Sequence, residues 1–186
     1  MKKLIILAVA VILLSTTAFS VEIGGVTLPD TLKAGDSTLL LNGAGLRKKL
    51  WIKVYAGGLY LSKKSNNQNE IINADEAMAV RMLFIHDGIA GKKLVDAWNE
   101  GFEAATDDHV APIQNQINQF NAMFNVEVHE GDIYDIIYVP SEGTSVYFNG
   151  KKLGTVPGLA FKKALFGIWL CDDPADSGLK EGMLNQ

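Results

Sequence analysis

The chain has 186 residues, with 17 Lys and Arg against 21 Asp and Glu, a formal net charge of −4 and 48% hydrophobic residues. That acidic balance argues against a nucleic-acid partner, and the length suits one domain with a core of its own. Cys171 is the sole cysteine, so no intramolecular disulfide can form and stability must come from packing.

Lys2 and Lys3 lead an apolar run, Leu4 to Leu14, followed by Ser15-Thr16-Thr17 and then Ala18-Phe19-Ser20. The order reads as a secretory signal peptide over residues 1–20, cleaved after Ser20. The run is short for a membrane span, which needs roughly 20 apolar residues. The expectation is a periplasmic or secreted single domain, residues 21–186, with no stable membrane span after cleavage.

Beyond that point, Val21 to Leu28, Ser37 to Leu41, Leu50 to Leu61 and Met78 to Ile85 carry β-branched and aromatic residues between polar or glycine breaks, which predicts strands. Lys63 to Asn69 reads as a polar connector. From Gly91 the period changes: Leu94, Val95, Trp98, Phe102 and Ala105 share one helical stripe, and Ile113, Ile117, Phe120 and Phe124 form a second after Pro112. Asp132 to Val139 and Thr144 to Phe148 then predict a hairpin through Pro140 and Gly143, ended by the turn Asn149-Gly150. Pro157 opens a strongly apolar helix, Gly158 to Leu170, and Asp173-Pro174 separates it from a short last helix, Ser177 to Leu184. Strands and helices segregate along the chain, which predicts an α+β fold.

Several chemistries lack a pattern. Gly43-Ala44-Gly45 is too short for a dinucleotide or phosphate loop, so no nucleotide cofactor is expected. His86, His109 and His129 stand far apart, giving no metal-ligand spacing, and Asp107-Asp108-His109 reads as a helix N-terminus. No Gly-x-Ser-x-Gly elbow is present, and Cys171 follows an apolar helix with no histidine close in sequence, as an inert thiol would.

Arg47 stands out, because an arginine set in an apolar, glycine-flanked run needs an anionic partner from a ligand or from the chain itself. Asp132 and Glu142 are the candidate internal partners. Lys48, Lys49 and Lys53 read as solvated strand-edge residues.

The run Asn42-Gly43-Ala44-Gly45-Leu46-Arg47, followed by Lys53-Val54-Tyr55-Ala56-Gly57-Gly58-Leu59-Tyr60-Leu61, resembles the opening of chalcone isomerase-like proteins. Leu94, Ala97, Trp98, Gly101 and Phe102 resemble that family's first long helix, and Gly131, Asp132, Tyr138 and Pro140 its late hairpin. Asn149-Gly150, Gly158, Phe161, Ala164-Leu165, Ile168-Trp169-Leu170, Pro174, Ser177 and Leu179-Lys180 follow in the order of its exported bacterial branch. The resemblance implies an open-faced β-sandwich, with a curved antiparallel sheet packed against helices and a cleft between them.

In the plant isomerases of this family an arginine positions the substrate oxyanion, helped by a threonine and by polar residues on the helices. By resemblance Arg47 matches the arginine, Tyr55 stands at the threonine, Asn99 matches a helix asparagine, Lys92 replaces a tyrosine and Ile168 a late hydroxyl. A site missing several donors should lose much of its transition-state stabilisation. Fatty-acid-binding members of the fold are closer in kind, since they pair the arginine with a tyrosine on the next strand. The resemblance therefore implies cofactor-free binding of a fatty acid or similar amphipathic carboxylate at Arg47, Tyr55, Asn99 and Lys92. Trp51, Phe102, Phe120, Phe161 and Trp169 are candidate walls. An isomerase or lyase acting on a phenolic or enolate anion, with Arg47 as its catalytic group, and an interaction protein with a vestigial cleft are the alternatives.

Spacing sets a condition. A straight strand would hold Arg47 and Tyr55 roughly 26 Å apart, so a shared ligand requires a sharp bend between Leu46 and Ile52, with Lys48-Lys49 as the expected place.

Overall fold

The computed structural model describes residues 20–186, and the leader reading of residues 1–20 falls outside them except for Ser20. Among the described residues, seven strands form one antiparallel sheet in strict chain order: β3 (Thr31–Ala34), β4 (Ser37–Lys49), β5 (Ile52–Leu61), β6 (Met78–Phe84), β7 (Ile133–Val139), β8 (Gly143–Phe148) and β9 (Lys151–Val156). A separate hairpin, β1 (Ser20–Ile23) and β2 (Val26–Pro29), precedes them. The helices are α1 (Gln68–Asn73), α2 (Gly91–Ala105), α3 (Gln114–Asn121), α4 (Leu159–Leu170) and α5 (Ser177–Met183). The α+β class read from the sequence is the fold observed.

Alternation along the strands sorts two faces. Tyr55, Leu59, Val80, Met82, Phe84, Tyr134 and Val146 point inward, joining Trp98 and Phe102 of α2, Phe120 of α3 and Phe161, Leu165 and Trp169 of α4 in one buried cluster. On the other face Leu32, Leu39, Leu41, Tyr60 and Ala79 make a smaller core, and the Tyr60 hydroxyl donates to the Pro29 carbonyl at 2.9 Å, tying β2 over it.

β4 is the unusual strand. Its register against β5 shifts between Leu41 and Gly43 and again between Arg47 and Lys48, and such bulges bend a strand and increase its twist. Asn42 sits in the first bulge, buried, with its amide fully used: it donates to the carbonyls of Ser65 (2.9 Å) and Met183 (2.8 Å) and accepts from the Ser65 N–H (2.9 Å). This pins the end of α5 to the strand. Glycines let the helix come close, since a Cβ on Gly43 would lie 2.2 Å from the Gly182 carbonyl oxygen, and one on Gly45 would lie 2.8 Å from the Leu179 Cα.

Lys162 is fully buried in the strongly apolar α4, whose other lysine, Lys163, is partly exposed. Its ammonium donates to the carbonyls of Ile71, Ile72 and Ala74 at 2.9, 3.0 and 2.7 Å. It thereby satisfies the carbonyls at the C-terminal end of α1, which that helix leaves without internal partners. Burial pulls its pKa down to about 8.

Several elements differ from the sequence reading. Val21 to Leu28 is two strands, because Gly24 and Gly25 take positive φ (67° and 95°) and fold it into a hairpin. β4 continues through the glycines to Lys49. The connector after Lys63 contains α1, capped by the Asn67 side chain on the N–H groups of Asn69 and Glu70. β9 follows Asn149-Gly150 as an exposed edge strand that the sequence reading lacks. Asp107 and Asp108, expected at a helix start, lie at the exit of α2 with positive φ.

Candidate functional site

β4 and β5 are joined by the tight turn Leu50-Trp51, so the chain reverses and Arg47 becomes the direct cross-strand partner of Tyr55. The bend required by the spacing thus exists, two residues later than Lys48-Lys49 and as a full hairpin. Directly opposed residues share a face of the sheet, and here it is the inner face, because Tyr55 lies in the main core against Phe84.

Tyr55 is buried, and its hydroxyl oxygen accepts from the Trp169 indole N–H at 3.0 Å. Among the described residues nothing accepts its own O–H proton. Burial pushes its pKa up to about 12, while the Trp169 hydrogen bond and the Arg47 charge pull the other way. The phenol is a neutral donor at any physiological pH.

Arg47 is held loosely. Its Nη1 donates to the Lys48 carbonyl at 2.6 Å and reaches Asp176 Oδ2 at 3.5 Å, with a quarter of the side chain exposed. Asp176, not the expected Asp132 or Glu142, is therefore its carboxylate partner. Asp132 instead accepts from the His129 N–H and the Asn149 side chain. Asp176 also serves α5, capping it through the Leu179 N–H at 2.9 Å, and accepts from the Lys48 N–H at 2.9 Å. A second arginine supplies the contrast: Arg81 Nε and Nη2 donate to the two carboxylate oxygens of Asp135 at 2.7 and 2.8 Å. That is a closed bidentate pair of the strong kind. Arg47 keeps most of its planar fork unmatched.

Lys92 and Asn99 are not brought to this place. Both are exposed on the side of α2 away from its buried stripe of Leu94, Trp98 and Phe102. Lys92 pairs with Asp96 one turn on at 2.8 Å, and Asn99 accepts from Asn121 at 2.7 Å. Trp51, read as a wall, is 84% exposed at the turn. Phe102, Phe120, Phe161 and Trp169 are core residues, and Trp98 bridges Phe120, Phe124 and Trp169 with ring centroids 5.3–5.5 Å apart.

Behind Tyr55 the interior is packed ring against ring, yet the Trp98 indole N–H and the Tyr134 hydroxyl are buried with no hydrogen-bond partner. Such orphans are rare in native cores. A recess of about 230 Å³ opens beside Asp176, lined also by Lys48, Gly45, Leu46 and Gly178. A larger one, about 560 Å³, lies at the other end of α5 around Asn42, Lys64, Asn185 and Gln186; neither recess is lined by Arg47 or Tyr55, and the smaller adjoins Asp176, the partner of Arg47.

The sequence profile of the chalcone isomerase-like family matches residues 20–185. The chain belongs to this family. Its fold is similar to that of a fatty-acid binding protein from Arabidopsis thaliana, with a TM-score of 0.72 and 19% identity over 90% of this chain and 96% of that one. No curated protein matches in sequence. Within the chalcone isomerase-like fold, two residues of the site escaped the sequence reading. Asp176 drew no reading, and Trp169 was read only as an apolar wall. The signal for Asp176 was its place before Ser177, where an aspartate caps a helix and presents a carboxylate.

Proposed function

We propose that this chalcone isomerase-like protein is exported and binds a fatty acid or similar amphipathic carboxylate without transforming it. The carrying observation is Arg47 and Tyr55 opposed across β4–β5 on the inner face, with the guanidinium fork largely unmatched and the phenol proton undonated. A carboxylate offers the acceptor set these donors need, and charge-assisted bidentate bonds are the strongest available to it. It would take over from Asp176, with the first methylenes entering the small recess and the rest of the tail parting the aromatic layer around Trp98. The similarity to a fatty-acid binding protein supports the same reading. Binding is favoured over an isomerase because Lys92 and Asn99 face solvent, leaving two donors where charge would have to be stabilised.

A second reading draws on the pairing already present. Asp176 on Arg47, Trp169 on Tyr55 and the closed aromatic layer describe a cleft filled by its own chain, as in an interaction protein with a vestigial site.

Native mass spectrometry of protein purified from its producing cells, together with titration by a fluorescent fatty acid, tests the proposal. Bound acid is expected, with Arg47→Ala weakening it on the order of ten- to a hundredfold, the value of lost hydrogen bonds to a charged group. No retained acid and no titratable binding would leave the vestigial reading standing.

A further inference from the structure

The turn between β4 and β5 places the two most exposed large apolar side chains of the described structure next to each other: Leu50 is 81% and Trp51 84% exposed. Trp98 and Trp169, the other two tryptophans, are buried. Lys48, Lys49 and Lys53 flank the turn and are all exposed.

Three observations set this tip apart from incidental exposure. First, it projects. Pairing of β5 with β6 ends at Tyr55 and Phe84, the last contact there is the Val54 carbonyl with the N–H groups of Ile85 and His86, and on β4 the last is the Lys48 N–H on Asp176, so Lys49 to Lys53 stand as a free two-stranded finger. Second, the residue choice opposes the backbone. Leu50 has φ 58° at the first position of a two-residue turn, where glycine is the low-strain residue. The side chain held there is bulky, apolar and without a contact role in the core. Third, the charge is segregated: the protein is acidic as a whole, yet Lys48, Lys49 and Lys53 surround the turn with no Asp or Glu from Ser37 to Asn69, and Asp176 reaches only the base of the finger at the Lys48 N–H. Asp87 on the neighbouring loop is already engaged by His129 at 3.0 Å.

We infer that the Leu50-Trp51 tip is a docking finger for the surface of an anionic lipid bilayer. An indole is an amphipathic plate suited to the headgroup boundary, and leucine beside it enters the acyl region. Lysines around such a pair reach lipid phosphates with their ammonium groups while their stems lie along the apolar surface. A protein partner is less well matched, since a protein-interface centre is depleted in lysine and is built as a broad patch, not a two-residue finger. The inference stands on the tip alone and does not depend on a ligand at Arg47.

Trp51 reports its own environment, because it alone of the three tryptophans is exposed. The full chain is mixed with vesicles of phosphatidylcholine and phosphatidylglycerol, and separately with phosphatidylcholine alone, with bromine-labelled acyl chains as quenchers. The expected result is a blue shift of the red-emitting component and its quenching on the anionic vesicles, weakened by salt. Replacing lysines 48, 49 and 53 by glutamine should weaken this partition by about fivefold each, and Leu50→Ser by about tenfold. These side chains lie outside the core, so the variants keep the fold. Trp51 emission unmoved and unquenched on anionic vesicles would overturn the inference, even if the protein sediments with them through residues 1–19. So would an equal response from the triple lysine variant, or a shift produced by soluble cell protein and not by vesicles.

Discussion

The close seating of α5 on β4 makes Gly43→Ala a sharp test of how the site is built. The added Cβ would stand 2.2 Å from the Gly182 carbonyl oxygen and 2.8 Å from that of Met183, both helix backbone, so no side-chain rotation relieves it. Ordinary contact is about 3.5 Å, and α5 must retreat by roughly 1 Å or more. Retreat stretches the Asn42 to Met183 bond, now 2.8 Å, and pulls Asp176 from the Lys48 N–H, now 2.9 Å. Overpacking costs about 1–3 kcal/mol and each of the two hydrogen bonds about 1 kcal/mol, which together give roughly 3–5 kcal/mol. At this chain length that is a fall in melting temperature of roughly 10 °C. Gly57→Ala is the matched comparison, because its Cβ would meet the Met183 Cε at 2.8 Å and the Leu179 Cδ1 at 2.9 Å, ends of flexible side chains that can swing away. It should cost about 1 kcal/mol or less, offset by the lower chain entropy of alanine. Urea unfolding followed by tryptophan fluorescence and circular dichroism measures both. The reverse contact gives a further check: Gly182→Ala meets the Ala44 carbonyl at 2.4 Å, so the double variant should lose much less than the sum, the helix having already moved. Equal losses for Gly43→Ala and Gly57→Ala, or additive losses in the double variant, would refute this account of the seating.

Asp176→Asn should strengthen fatty-acid binding several-fold, since it removes the internal competitor for Arg47, at a cost of about 1 kcal/mol for the lost Lys48 N–H bond while asparagine keeps the helix cap; weaker or unchanged binding in fluorescence titration would contradict it. Tyr55 gives an alkaline signature. Its folded pKa of about 12 lies above the ordinary value of 10.0, so the stability it contributes is complete below pH 10 and is lost as pH rises through 12, by roughly 2–3 kcal/mol. Melting curves between pH 9 and 12 should show this slope reduced in Tyr55→Phe. Lys162→Met should cost about 2–4 kcal/mol in urea unfolding, because the carbonyls of Ile71, Ile72 and Ala74 lose their donor inside the core.

Much of the fold was legible because its signals are local. The stripes of α2 and α3 and the alternation of β6 and β7 each sit within one element, and the glycine-arginine-tyrosine order marked β4 and β5. Where the reading failed, a partner distant in sequence decided the outcome. Nothing near Arg47 indicates that its carboxylate comes from Asp176, 129 positions on. Lys162 and the partly exposed Lys163 are the only polar residues of α4, and the meaning of Lys162 emerges only when the end of α1 arrives beneath it. α1 itself was readable, for Asn67 followed by Glu70 is the spacing of a capped helix start, but the polar run around it suggested a loop. Trp51 was assigned to a wall because tryptophan is usually core; the two-residue turn, visible only once the pairing register is known, puts it in solvent. Lys92 and Asn99 came from the family resemblance, and the helix face they occupy was computable from the positions of Leu94 and Trp98 alone.

The meander order has a consequence for how the site comes into being. Arg47 and Tyr55 belong to one hairpin, whose pairing needs only neighbouring residues, and hairpins form within microseconds. Trp169 and Asp176, which complete the phenol and the guanidinium, are synthesised more than a hundred residues later. During synthesis the donors are therefore in place while the groups that quiet them are still absent, and Gly43 and Gly45 present a bare strip of peptide until α5 settles on it. A chain cut short before residue 169 would keep the donors and lose both restraints, leaving a half-built, anion-seeking surface exposed to whatever surrounds it.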